Sequence, residues 1–168
     1  MLQLLPHAVI VGFFGGLATL LADWLGLTSW VLFIVWTAYG LFGDHIRSGV
    51  KMYLSYLVGI LCGFSAAFVN GQLEPQLGLL SFPLVILTVT ALLTFLEGSR
   101  PLDDVPAYYL GAITFFASGL SVSAPSFLAL LYPSALGVVF GWATYTLRTY
   151  VRSRQKVTSD PVRGRERT

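Results

Sequence analysis

The sequence predicts an all-α integral membrane protein with about six transmembrane helices, built as two inverted three-helix repeats in which helices 2 and 5 are short. Three observations predict it. The chain is 55% hydrophobic with a mean hydropathy of +0.75 and only 11% charged residues, whereas a soluble domain carries about 25% charged residues to wet its surface. Of its ten Lys and Arg residues, seven lie at or beyond Arg148, leaving only Arg47, Lys51 and Arg100 before it. The second half also echoes the first. A chain so poor in charge over its first 147 residues has lipid as its solvent.

Six apolar stretches run from His7 to Leu25, Ser29 to Gly43, Val50 to Val69, Leu79 to Leu96, Ala107 to Leu120 and Phe127 to Leu147. Crossing the hydrocarbon core takes about 20 apolar residues. The first, third, fourth and sixth stretches approach or reach that length, and the second and fifth are short. The first lacks the basic n-region and the A-x-A site of a signal peptide and reads as a retained helix. Six crossings put the turns at Asp44–Gly49 and Gly98–Pro106 on the side of the C-terminal segment. Every Lys and Arg then falls on that side, which the positive-inside rule makes cytoplasmic. Both termini are expected there. The turns near Leu27, Asn70–Gly78 and Ser121–Ser126 carry no Lys or Arg and are expected outside.

The repeats appear when Trp30–Gly40 is laid over Tyr109–Gly119: Ile34, Ala38 and Gly40 meet Ile113, Ala117 and Gly119, and aromatic Trp36 meets Phe115. A shift one residue smaller superimposes Gly59-x-x-x-Gly63 on Gly137-x-x-x-Gly141, and Gly12-x-x-x-Gly16 on Thr90-x-x-x-Thr94. Residues 7–70 form the first repeat and 79–147 the second, within a transmembrane domain of residues 1–147. Three crossings per half invert one half relative to the other, and short helices at matching positions point to a site near the midplane. Helix packing is expected at Gly12, Gly16, Gly59, Gly63, Gly137 and Gly141, because small residues let helix backbones approach. A pathway lined by Trp36, Thr37, Tyr39, Thr114, Phe115 and Ser118 is expected from the two short helices.

What is missing narrows the chemistry. No ionisable residue falls at a predicted bilayer centre, which argues against proton- or sodium-driven pumping. His7, His45 and the single Cys62 are too far apart in sequence for a metal site, and no nucleophile–base set or phosphate-cradling loop is present. Neither enzyme activity nor a cofactor or metal is expected, and the net charge of +2 belongs to the tail rather than to a nucleic-acid surface. That tail, residues 148–168, is basic and poor in apolar residues, so it is expected to be disordered and cytoplasmic. Its stretch from Arg148 to Lys156 could meet anionic lipid headgroups.

The motif Gly26-Leu-Thr-Ser-Trp-Val-Leu-Phe33, followed by Thr37-Ala-Tyr39, resembles the YcdZ-like family of small bacterial inner-membrane proteins, a domain of unknown function. In the second half, Gly111-Ala-Ile-Thr-Phe-Phe-Ala117 is similar to the family's G-A-x-x-T-F-A-like stretch, with Tyr108-Tyr109 standing where the family has Pro-Gly. The resemblance covers most of the chain before the tail. It implies a multi-pass protein of the bacterial inner membrane and transfers no functional residue.

The expected function is a channel or facilitator for a small uncharged polar solute, of the urea or short-amide kind, without ion coupling. The alternative is a non-transporting membrane scaffold or regulatory subunit of a larger complex. The partners expected are the lipid bilayer, the solute and further copies of the chain in a homo-oligomer, which three GxxxG motifs and the small size of the chain favour.

Overall fold

A computed structural model describes residues 5–43, 45–98 and 104–159. Asp44, Arg100 and Asp103 of the expected inner turns, and the distal tail from Asp160, lie outside the described residues. The described chain is helical throughout: α1 (Leu5–Trp24), α2 (Ser29–Phe42), α3 (Ile46–Leu77), α4 (Ser81–Phe95), α5 (Val105–Ser118) and α6 (Ala124–Ser159). Short 3-10 segments at Gly78–Leu80 and Leu96–Gly98 flank α4. Helix ends follow local chemistry. His45 and Ser48 form a reciprocal capping box at the start of α3. Gly26, Gly78 and Gly119 supply the positive φ that stops α1, α3 and α5.

Three helical stretches have the length and apolarity of membrane spans: Leu5–Trp24, Ile46–Phe95 (α3 and α4 taken together) and Ala124–Arg154. α2 and α5 are equally apolar but have 14 residues each, about 21 Å at 1.5 Å per residue against a hydrocarbon core of about 30 Å. Large apolar side chains face outward all around the bundle, with Trp24 at 80%, Phe95 at 81% and Leu79 at 96% exposure. Water does not tolerate a surface of that kind. These are the helices of a membrane protein.

Two expectations about element ends need correction. The turn expected at Asn70–Gly78 begins only after Leu77, because Gly71 and Pro75 sit in a helix that continues with Gln72, Glu74 and Gln76 exposed. Pro75 lies in the last turn, where it removes the amide that would donate to the Gly71 carbonyl four residues back, and the helix ends two residues later at Leu77. The expected disorder from Arg148 also fails for its first part, since α6 continues unbroken to Ser159. The cause is local propensity: Arg148 to Lys156 is rich in good helix formers.

Contacts between named residues fix the helix directions. Lys51 and Asp104, at the starts of α3 and α5, form an ion pair at 3.5 Å. Further along, Gly59 meets Tyr108 and Gly63 meets Phe115, so α3 and α5 run parallel. Gly137 meets Leu32 and Val35 while Gly141 meets Tyr39, so α2 and α6 also run parallel. Tyr53 reaches Ser134 and Phe64 reaches Phe127, which makes α3 and α6 antiparallel. Phe82 with Phe116 and Thr94 with Tyr109 make α4 antiparallel to α5. The two most extensive helix–helix interfaces are α3 with α5 and α2 with α6. Between them lies the main core, with Val31, Val35, Tyr39, Met52, Tyr56, Ile60, Phe115 and Leu130. A second cluster seats α1 through Ala18 and Ala22 against Leu32 and Phe140.

Candidate functional site: a buried hydroxyl network

Where α3, α5 and α6 meet, four hydroxyls gather. The Tyr56 hydroxyl donates to Thr114 Oγ1 at 2.9 Å, and Thr114 donates to the Leu110 carbonyl at 2.8 Å. The Tyr53 hydroxyl lies 3.2 Å from Ser134 Oγ and 3.4 Å from the Leu131 carbonyl, to which Ser134 donates at 2.8 Å. The Tyr53 and Tyr56 rings stack with centroids 6.4 Å apart, which joins the two pairs. Tyr56, Thr114 and Ser134 are fully buried. All four side chains are neutral.

The backbone makes room for this network. Gly59 on α3 and Gly111 on α5 cross so closely that a Cβ on Gly59 would meet the Tyr108 carbonyl, and one on Gly111 would meet the Tyr56 carbonyl. That approach brings Tyr56 of one helix within reach of Thr114 on the other. On α6, Pro133 precedes Ser134 and is fully buried. Its ring removes one N–H from the helix ladder and leaves the carbonyl of Ala129 without its usual donor. Ladder breaks at depth are found where a helix is covered by protein or lines a cavity.

The expected pathway residues do not assemble. The Tyr39 ring lies over Gly49 at the start of α3, while the Phe115 ring lies over Gly63, about 21 Å further along that helix at 1.5 Å per residue. α2 and α5 run in opposite directions, which carries their C-terminal halves apart. Tyr39 is therefore packed beneath Gly43, Gly49 and Gly141 rather than facing Thr114. Trp36 stacks on Phe33 and covers Gly15, and Thr37 is exposed on the outer side of α2. Ser118 closes the end of α5, donating to the Phe115 carbonyl at 2.6 Å and accepting from the Leu120 amide. Thr114 and Phe115 are buried against α3. Of the six, Thr114 alone joins the hydroxyl network.

The glycines divide. Gly59, Gly63, Gly137 and Gly141 all lie at tight helix contacts. Gly12 and Gly16 do not, since an added Cβ at either would meet nothing within 4 Å. The reason is phase: α1 packs through Gly15, Ala18 and Ala22, and Gly16 lies roughly 200° around the helix from Ala18. Tyr53, Tyr56 and Ser134 are not among the site residues expected from the sequence. A usable signal was present in two tyrosines at i and i+3 within an apolar helix, and in a serine directly after an intrahelical proline.

No curated protein and no solved structure matches this chain. A family does, across residues 8–147, which takes in all six helices up to the point where α6 leaves the core. By that match the chain belongs to the family described as Protein of unknown function (DUF1097).

Proposed function

We propose that the chain is a channel or facilitator for a small uncharged polar solute of the urea or short-amide kind, working without an ion gradient, as a homo-oligomer in the bacterial inner membrane. The single observation that carries this reading is the neutral hydroxyl network of Tyr53, Tyr56, Thr114 and Ser134. A hydroxyl at membrane depth needs a partner, and the partner is either another helix or a passing solute. Neutral hydroxyls suit a neutral solute. Each hydrogen bond is worth about 0.5–1.5 kcal/mol net, enough to replace hydration and weak enough to release the solute.

Six crossings as two inverted repeats give this network its place. Tyr56 lies ten residues into α3 and Ser134 ten residues into α6, about 15 Å from each start. With those antiparallel helices starting on opposite faces of a core of about 30 Å, both residues sit at its middle. The same arrangement gathers Arg47 and Lys51, at the start of α3, with Arg148 and Arg152, toward the end of α6, on one cytoplasmic side. The repeat exchanges α3–α5 for α6–α2, the two parallel pairs with glycine at their crossings. The YcdZ-like resemblance agrees with the location and adds no chemistry.

A second reading has one observation in its favour. Each hydroxyl of the network already has a protein partner, as a closed core needs, and this suits a non-transporting scaffold or regulatory subunit. Stopped-flow light scattering on proteoliposomes separates the two. The facilitator reading expects urea or acetamide to equilibrate faster than in empty liposomes with no ion gradient present. Rates equal to those of empty liposomes for every small neutral solute would give the scaffold reading precedence.

A further inference from the structure

Toward the end of α6, an open cleft of about 230 Å³ lies against α2. Thr144, Arg148 and Arg152 line it at spacings of four residues, which places them on one helix face. Trp36 and Gly40 of α2 form the opposite wall. No carboxylate lines the cleft, and neither arginine makes a hydrogen bond or ion pair among the described residues. Arg154, on another face, is engaged with the Tyr150 hydroxyl at 2.9 Å.

Thr144 is the unusual member. Its hydroxyl is buried, with the residue 3% exposed, and has no hydrogen-bond partner. Elsewhere in this protein Thr19, Thr88, Thr90, Thr94 and Thr114 each donate to the carbonyl four residues back. Thr144 has the same option on the same kind of helix and does not use it. A buried hydroxyl without a partner is a cost that a bound acceptor removes.

We propose that this cleft binds a phosphate group, with Thr144 donating to one oxygen and the Arg148 and Arg152 guanidinium groups holding the others. Guanidinium is the side chain best matched to phosphate, because its planar fork donates two parallel hydrogen bonds to two oxygens. Gly40 leaves the opposite wall open, since a Cβ there would meet nothing within 4 Å. The phosphate belongs either to an anionic phospholipid headgroup of the adjoining leaflet or to a free phosphate compound. The site does not depend on any solute crossing the protein, so it stands or falls separately from the facilitator reading.

The test uses the full chain in neutral detergent and native mass spectrometry. Phosphatidylglycerol, phosphatidylcholine and inorganic phosphate are the probes. Wild type should retain phosphatidylglycerol at least about tenfold better than phosphatidylcholine. R148Q and R152Q should each weaken that retention about tenfold, T144V about two- to tenfold, and R154Q less than twofold. Retention that survives millimolar inorganic phosphate assigns the site to lipid, and displacement by it, or binding of phosphate alone, assigns the site to a free phosphate compound. Either result supports the proposal. Equal losses in R154Q and R148Q would mean diffuse attraction to a basic helix and would overturn it, as would no lipid preference together with no phosphate binding.

Discussion

Replacing Gly111 by Ala tests the close crossing on which the hydroxyl network depends. A Cβ there would collide with the Tyr56 carbonyl, lie 2.8 Å from the Ile60 amide nitrogen and 3.0 Å from the Gly59 carbonyl carbon. These are backbone atoms of a packed helix and cannot rotate away. Carbon contacts settle at about 3.5–4.0 Å, so α3 and α5 must part by about 1 Å. The overpacking costs about 1–3 kcal/mol. Parting the helices also stretches the 2.9 Å bond from Tyr56 to Thr114 toward about 4 Å, beyond hydrogen-bond reach, at a further cost of about 0.5–1.5 kcal/mol. Against this, Ala improves helix propensity by about 1 kcal/mol. The net expectation is a loss of about 0.5–3.5 kcal/mol. Gly12→Ala supplies the control: its Cβ meets nothing within 4 Å, so propensity alone acts and the change is neutral or stabilising. Equilibrium unfolding in mixed micelles, with dodecyl sulfate as denaturant and tryptophan fluorescence as readout, measures both. Equal midpoints for the two variants would refute the packing argument.

A double-mutant cycle on Tyr56→Phe and Thr114→Val should give a coupling of about 0.5–1.5 kcal/mol by the same unfolding assay; coupling near zero would mean the hydroxyls do not meet. Lys51→Gln should cost no more than about 1 kcal/mol, and less at high salt, because its ion pair with Asp104 is partly exposed. A cysteine at Glu74, in a chain carrying Cys62→Ser, should react with an impermeant maleimide from outside intact cells, since Glu74 lies 28 residues into α3, about 42 Å along it. A cysteine at Arg100 should not react, and outside labelling there contradicts six crossings. Native mass spectrometry should find the chain as a homo-oligomer, and a strictly monomeric mass with flux intact removes that part of the proposal.

The sequence was legible where lipid imposes the pattern. Six apolar stretches became six helices, and α2 began and ended within a residue of its expected bounds, because Gly26 and Gly43 mark the breaks on both sides. Boundaries slipped where polar sequence stayed helical: Pro75 looks like a breaker but sits in a last turn, and the basic stretch after Arg148 carries enough helix propensity to extend α6. The site was harder to read. Repeat alignment placed Thr37 and Tyr39 opposite Thr114 and Ser118 without their depth, and antiparallel running of α2 and α5 separates them. The side chains that do meet lie on the long helices α3 and α6. They are paired by a crossing at Gly59 and Gly111 that depends on three-dimensional phase. Gly12 and Gly16 show the converse: the same GxxxG spacing has no packing consequence when it faces away from the bundle.

The central claim is that a neutral solute crosses by way of the Tyr56–Thr114 pair. Urea permeability of proteoliposomes, with ion gradients collapsed by ionophores, tests it most directly when wild type and Thr114→Val are compared at equal protein content and equal oligomer state. The valine keeps the shape and removes the hydroxyl. The account predicts permeability above that of empty liposomes for wild type and a fall of about two- to tenfold for the variant, the rate equivalent of one neutral hydrogen bond. Identical permeability in wild type, Thr114→Val and empty liposomes, or flux that appears only with a proton or sodium gradient, would contradict it.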